Sequence, residues 1–330
     1  MTLPSDKIIC SDEESFPASL LADSFDPIIV DPPHSPSQSA KLICGEAASV
    51  LKEKFPDNHF DLAVTSPPYD KLRNYGSSGF VFDFQEIARQ IFRVLKPGGV
   101  LVWVVGDSVG KTGKSFTSFR QALYFKEIGF YAHDHMIYEK NTSSFPARRN
   151  GKRYTQIFEN MFVLSKLTPP KTANLIFDKP NRWAGWINWG KKSHRNVEGE
   201  LVAGKDIKPV PEFSPRNNIW RYNVGAGYGQ KSKIAYRHPA TFPEALVKDH
   251  ILSWSNVGDT VLDPFVGSGT TVKVAKILGR NSVGIDANPD YIELAKLRLG
   301  EESIAENKLR VPRTDPVLAP KGKKHLGEFE

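Results

Sequence analysis

The sequence predicts an α/β fold built on a doubly wound, mostly parallel sheet, and three observations carry that expectation. Apolar segments of strand length alternate with segments of helical period from residue 41 onward, the pattern of βα units. Val100–Val105 is a continuous apolar run, as a strand covered on both faces requires. Val261–Thr271 reads as strand, glycine-rich turn and helix, the kind of junction at which such sheets bind ligands.

Taken in order, Lys41–Cys44 is expected as a short strand and Ala47–Lys54 as a helix. Phe60–Thr65 is an apolar strand that runs directly into Ser66-Pro67-Pro68-Tyr69. Ile87, Ile91, Val94 and Leu95 share one face of a helix over Phe84–Leu95, which Pro97-Gly98-Gly99 stops. After the Val100–Val105 strand come a helix over Ser115–Ile128 and strands over Phe130–Tyr138 and Ile157–Leu164. Residues 168–235 show no clear period and carry Trp183, Trp186 and Trp189 among scattered Lys and Arg. These tryptophans are expected to form the core of a small region of their own. Regular structure resumes with a helix over Phe242–Ser253, a strand over Thr260–Phe265 and a helix over Thr270–Leu278. A strand over Ser282–Asp286 and a helix over Asp290–Leu299 follow, and residues 300–330 form a charged tail.

A chain of 330 residues is long enough for one large domain with a substantial insertion. No apolar run approaches the roughly 20 residues of a membrane span. The opening residues lack the basic start and apolar stretch of a secretory signal, so the expected location is cytoplasmic. Cys10 and Cys44 are the only cysteines, which indicates neither a disulfide framework nor a zinc site, and no metal is expected. The net charge of +7 is unevenly spread. Residues 1–40 sum to −6 and are rich in Ser, Pro and Asp, the composition of an acidic, disordered arm. Residues 140–238 sum to +13. Positive charge so concentrated is the footprint of a polyanion site, with a solvated basic surface as the plain alternative.

In the glycine turn, Gly267 and Gly269 would let the backbone approach a ligand. Asp286 closes the next strand 19 residues past Gly267, where an acid in this layout bonds ribose hydroxyls. Val272 stands where a dinucleotide fingerprint has its third glycine. The departure argues against a nicotinamide oxidoreductase and for a nucleoside cofactor without a pyrophosphate.

Asp263-Pro264-Phe265-Val266-Gly267-Ser268-Gly269-Thr270-Thr271 resembles the S-adenosylmethionine motif of DNA amino-methyltransferases, and Ser66-Pro67-Pro68-Tyr69 resembles their catalytic loop. His238-Pro239-Ala240-Thr241-Phe242-Pro243 is similar to the family segment that leads into a helix lining the cofactor pocket. Gly45-Glu46-Ala47 is similar to the family's Gly-Asp-Ala, with Glu in place of Asp. The likeness covers roughly residues 41–167 and 236–299. It implies a circularly permuted Rossmann-like methyltransferase sheet, because the catalytic half (41–167) precedes the cofactor half (236–299). The basic segment 168–235 would be an inserted target-recognition region, the arrangement of the β class.

The resemblance further implies residue roles. S-adenosylmethionine would lie against Asp263, Pro264, Phe265, Gly267, Gly269 and Thr270, with Asp286 on its ribose and Glu46 near its adenine. His238, Thr241 and Phe242 would line the same pocket. An exocyclic amine is a poor nucleophile, since its lone pair is delocalised into the ring. Ser66 and the Pro67 carbonyl would accept its hydrogens, Pro67 and Pro68 would fix the loop, and Tyr69 would stack on an extruded base. Arg148, Arg149, Lys152 and Arg153 would clamp the backbone of double-stranded DNA, and Arg182, Lys191, Lys192 and Arg195 would bind further phosphates. Stacking on bases is the alternative role for the tryptophans.

Cytosine C5 chemistry needs a nucleophilic cysteine in a Pro-Cys pair, and both cysteines follow Ile. A loop beginning with Ser favours N4 of cytosine, and N6 of adenine is the alternative. A more distant rival is a DNA-binding protein without activity, which would leave two intact loops without a role. A restriction endonuclease is an expected optional partner, and the chain would act as a monomer or a dimer.

Overall fold

A computed structural model describes residues 39–68, 82–141, 152–186, 193–203, 209–224, 234–238, 241, 243–302 and 304. Residues 1–38 of the acidic arm and nearly all of the charged tail lie outside these residues, and Ala40, expected in the arm, begins β1. The elements in chain order are β1 (Ala40–Cys44), α1 (Ala47–Lys54), β2 (Phe60–Thr65), α2 (Phe84–Val94) and β3 (Leu95–Val105). A small ribbon, β4 (Val109–Gly110) with β5 (Gly113–Lys114), precedes α3 (Thr117–Glu127), β6 (Phe130–Lys140) and β7 (Phe158–Lys166). Short strands β8 (Lys179–Pro180), β9 (Ser193–Arg195), β10 (Leu201–Ala203) and β11 (Phe213–Ser214) lead to β12 (Ile219–Tyr222). The chain then forms α4 (Glu244–Trp254), β13 (Thr260–Asp263), α5 (Thr270–Ile277), β14 (Asn281–Asp286) and α6 (Pro289–Arg298).

Eight strands form one sheet in the order β1-β14-β13-β2-β3-β7-β6-β12. Every neighbouring pair is parallel except β3–β7 and β7–β6. The late strands β13 and β14 therefore slot between the early strands β1 and β2, and the permuted order expected from the motifs is the order of the sheet. Alternation along β3 shows why its sequence is apolar throughout. Leu101, Trp103 and Val105 join the core under α1, α2 and α3, whereas Val100, Val102 and Val104 join the core under α4 and α5. The helix after β2 lies on one face and the helix after β13 on the other, so the sheet switches direction between these two strands.

Two expectations need correction. Helix α2 ends at Val94, one residue early, and Pro97-Gly98-Gly99 lies inside β3 rather than ending the helix. The segment 168–235 is not wholly separate from the sheet. Ile219–Tyr222 pairs in parallel with β6 as an edge strand, burying Trp220 and Tyr222 against Tyr138 and α4. Four residues were too short a stretch to register as a period.

Candidate active site at the carboxyl edge of the sheet

β2 and β13 end side by side at the switch point, and their last residues are joined. Thr65 Oγ1 donates to Asp263 Oδ1 at 2.7 Å, with both residues buried. Asp263 is only 1% exposed, and burial pushes its carboxyl up to about 6, against the opposing effect of hydrogen bonds from Thr65 and the Phe265 N–H. The Thr271 side chain also opposes that rise. The side chain faces Thr65 inside the fold, and Asp263 orders the two strand ends.

Ser66, Pro67 and Pro68 leave β2 at this edge, with Pro67 buried and its neighbours half-buried. Tyr69 lies outside the described residues. On the neighbouring strand end, Pro264 is buried and Phe265 half-buried. The Phe265 ring packs edge-on against Phe82 at 5.5 Å and Trp103 at 6.4 Å.

The glycine turn is shaped by Asp286 at the end of β14. Its Oδ2 accepts from the Gly267 N–H and its Oδ1 from the Asn288 N–H, each at 2.9 Å. Burial raises its pKa, and these two hydrogen bonds oppose that rise. One bond to each oxygen leaves the carboxylate with lone pairs for a pair of vicinal hydroxyls, so its chemistry fits a nucleoside's ribose. The glycines serve packing as well as approach. At Gly267 (φ 47°) a Cβ would lie 2.9 Å from His238 Nε2, and at Gly269 (φ 82°) it would lie 2.8 Å from Ala295 of α6. Gly269 makes room for Ala295 of α6, and Gly267 brings the turn against the imidazole of the His-Pro segment. His238 in turn meets the Tyr291 ring edge-on at 4.3 Å. Thr270, buried, begins α5. Thr241 is half-buried, and Phe242 lies outside the described residues. Glu46 sits two residues beyond Cys44, which is in register with Asp286. Its carboxylate caps α1, accepting from Ala48 N–H at 2.9 Å and Ser49 N–H at 2.7 Å.

A buried ionic network behind the turn was not apparent from sequence. Arg298 Nη1 donates to Ser268 O at 2.9 Å and to Thr270 Oγ1 at 2.9 Å, while its Nη2 reaches Glu244 Oε1 at 2.5 Å. Lys273 Nζ meets the same Glu244 oxygen at 2.8 Å and Glu301 at 2.5 Å. The network ties the start of α4, which directly follows the His-Pro segment, to the glycine turn and to α6. A Glu right after that segment was the available signal.

The basic candidates divide. Lys152 and Arg153 are exposed just before β7, and Arg182 is exposed with its guanidinium 5.6 Å from the Trp183 ring. Arg195 lies in β9, opposite Leu201 of β10. Arg148, Arg149, Lys191 and Lys192 lie outside the described residues. Other cations of the basic segment serve the fold: Arg216 binds Asp178 and Asp249, Arg221 binds Glu139, and Lys140 binds Glu159. Trp183 and Trp186 stack edge-on at 5.9 Å but stay 51% and 47% exposed, so they do not make the closed core expected of them. Trp189 lies outside the described residues. No group of three or more metal-ligating side chains occurs among the described residues, and no described helix is long and apolar enough to cross a membrane.

A permuted Rossmann-like sheet, with a Ser-Pro-Pro loop and a nucleoside-type glycine turn on adjacent strands, defines a group-transfer enzyme of the methyltransferase class. Residues 60–297 match the N6_N4_Mtase family model, DNA methylase, and the chain belongs to this family of β-class DNA amino-methyltransferases. It is 50% identical over 249 residues to the orphan methyltransferase M.BamHII of Bacillus amyloliquefaciens, covering 76% of this chain and 92% of that protein. It is 31% identical over 292 residues to the type II methyltransferase M.HpaI of Haemophilus parainfluenzae, covering 84% and 82% respectively. Among solved structures, the PvuII DNA methyltransferase (cytosine-N4-specific) shares the fold, with a TM-score of 0.57 at 20% identity over 81% of this chain and 89% of that one.

Proposed function

We propose that this enzyme methylates the exocyclic N4 of cytosine within a specific duplex DNA sequence, using S-adenosylmethionine. The observation that carries the reading is the Thr65–Asp263 hydrogen bond, which sets the Ser66-Pro67-Pro68 loop beside the glycine turn at the switch point. Asp286 and the Gly267–Gly269 turn would hold the nucleoside end of the donor, with His238, Thr241 and Phe242 alongside. The donor supplies a methyl group made electrophilic by its sulfonium. The Ser66 hydroxyl and the Pro67 carbonyl accept the amine hydrogens and turn the nitrogen lone pair toward that methyl. A C–N bond forms as the C–S bond breaks, and the amine loses one proton. Tyr69 stacks on the extruded base.

Ser66 at the head of the loop supports cytosine over adenine. Lys152, Arg153 and Arg182, together with Arg148, Arg149, Lys191, Lys192 and Arg195, would bind phosphates, leaving other side chains of the inserted region to read base edges. The likeness to an orphan methyltransferase favours an enzyme that works without a dedicated endonuclease. Modification-sensitive sequencing of DNA from cells expressing the protein tests the reading. N4-methylcytosine at one recurrent site is expected; N6-methyladenine would overturn the choice of base, and unmodified DNA would overturn the activity.

A further inference from the structure

The carboxyl edge carries a second feature beside the cofactor site. Beyond β3 the chain folds back through the β4–β5 hairpin and enters α3 at Phe116. Polar contacts fix the base of this hairpin. Ser115 N–H donates to Ser108 O at 3.0 Å, and Asp107 accepts from the Ser118 N–H at 2.9 Å and the Ser118 hydroxyl at 2.8 Å. Asn160 of β7 donates to the same hydroxyl oxygen at 3.1 Å.

On this rigid support Phe116 takes a left-handed backbone conformation (φ 50°, ψ 26°), which a bulky L-residue avoids. Burial does not offset that strain, since Phe116 is 57% exposed. Strain held without a packing return points to function. The ring lies 6.2 Å from that of Phe119, itself 42% exposed. Two lysines precede the pair on the hairpin: Lys111 is exposed, and Lys114 binds Gln156 and lies 5.7 Å from the Phe158 ring. Because β2, β3 and β13 all run out at this edge, the hairpin and the catalytic loop lie on the same side of the sheet.

We infer that this aromatic lip, centred on Phe116 and preceded by Lys111 and Lys114 on the hairpin, presses into the substrate duplex beside the target and holds the strands apart while the base is out. The inference rests on the reading of the enzyme as acting on a base in duplex DNA. Its chemistry suits that partner: π-faces stack on bases exposed by unpairing, apolar wedges keep a step open, and ammonium groups meet phosphates.

The test compares the parent with Phe116→Gly and Phe116→Tyr. Glycine removes the ring and also accepts the left-handed backbone, so this variant should melt no lower than the parent. Methyl transfer is measured on a duplex carrying the site the parent methylates, and on the same duplex with the target opposite an abasic position. For Phe116→Gly, kcat/KM is expected to fall about tenfold or more on the paired duplex and to stay within about threefold of the parent on the abasic-opposed one. S-adenosylmethionine affinity should be unchanged, and Phe116→Tyr should behave as the parent. Parental transfer to the paired duplex by Phe116→Gly, or equal loss on both duplexes, would overturn the lip. A parent protein inactive on all DNA would instead overturn the underlying methyltransferase reading, and the lip with it.

Discussion

The Thr65 hydroxyl and the Asp263 carboxylate meet at 2.7 Å across 198 positions of sequence, joining the strand that runs into the Ser-Pro-Pro loop to the strand that runs into the glycine turn. Thr65→Val keeps the shape of the side chain but strands a buried acceptor. It should destabilise the fold by about 1–3 kcal/mol, read by denaturant unfolding, and should lower methyl transfer. Thr65→Ser should recover most of both losses.

The same carboxyl makes stability depend on pH. Its pKa stands near 6 in the fold, against 3.8 for an ordinary Asp, chiefly because it is buried. A group with a raised carboxyl pKa binds its proton more tightly folded than unfolded. Stability is therefore greatest below about pH 4 on this account, and falls as pH rises toward 6. The loss should approach about 3 kcal/mol at neutral pH. Asp263→Asn removes the titration, so the stability of the variant relative to the parent should rise across that window. A difference independent of pH between 4 and 7 would refute this.

Arg298→Met should be severely destabilising. It takes from buried Glu244 one of the two cations, Arg298 and Lys273, that meet its Oε1, and it releases the Ser268 carbonyl. Breaking a buried ion pair typically costs about 3–5 kcal/mol. Calorimetry should show a lower melting temperature. At a temperature where the variant remains folded, titration should show weaker S-adenosylmethionine binding, because the turn has lost its brace.

Asp286→Ala should weaken S-adenosylmethionine binding about tenfold or more, as a site built to bond hydroxyls loses its acceptor and two backbone N–H groups lose theirs. Isothermal titration checks this. Unchanged affinity would show that the ribose does not lie on Asp286.

The main strands and helices and both loops were legible in the sequence because local rules write them there, whereas the permuted strand order came from the resemblance of the motifs. The Val100–Val105 run has the length and β-branched content of a strand buried on two faces, and Gly267-Ser268-Gly269 between an apolar strand and a helix has the residues of a sharp turn. What escaped reading depends on distant partners. Arg298, Glu244 and Lys273 each resemble an ordinary solvated helix charge until the fold brings Lys273 and Arg298 to Glu244, 29 and 54 positions away in sequence. The second role of Gly269 escaped for the same reason, since Ala295 is what it makes room for. Trp220 and Tyr222 alternate as strand residues should, but four positions amid loops give periodicity too little to work with.

The interleaved strand order has a consequence for biosynthesis. Val261 pairs with Leu62 and Ser282 with Ala40, so the middle of the sheet is closed by residues made late. While the ribosome is still reading the central segment, β1 and β2 have no strand between them, and their facing edges stand open. Non-local pairing of this kind forms slowly and leaves sticky edges for a chaperone to shield. The Ser-Pro-Pro loop is therefore made before the strands that complete the sheet around it, and the edge on which it sits is assembled only once β13 and β14 have emerged.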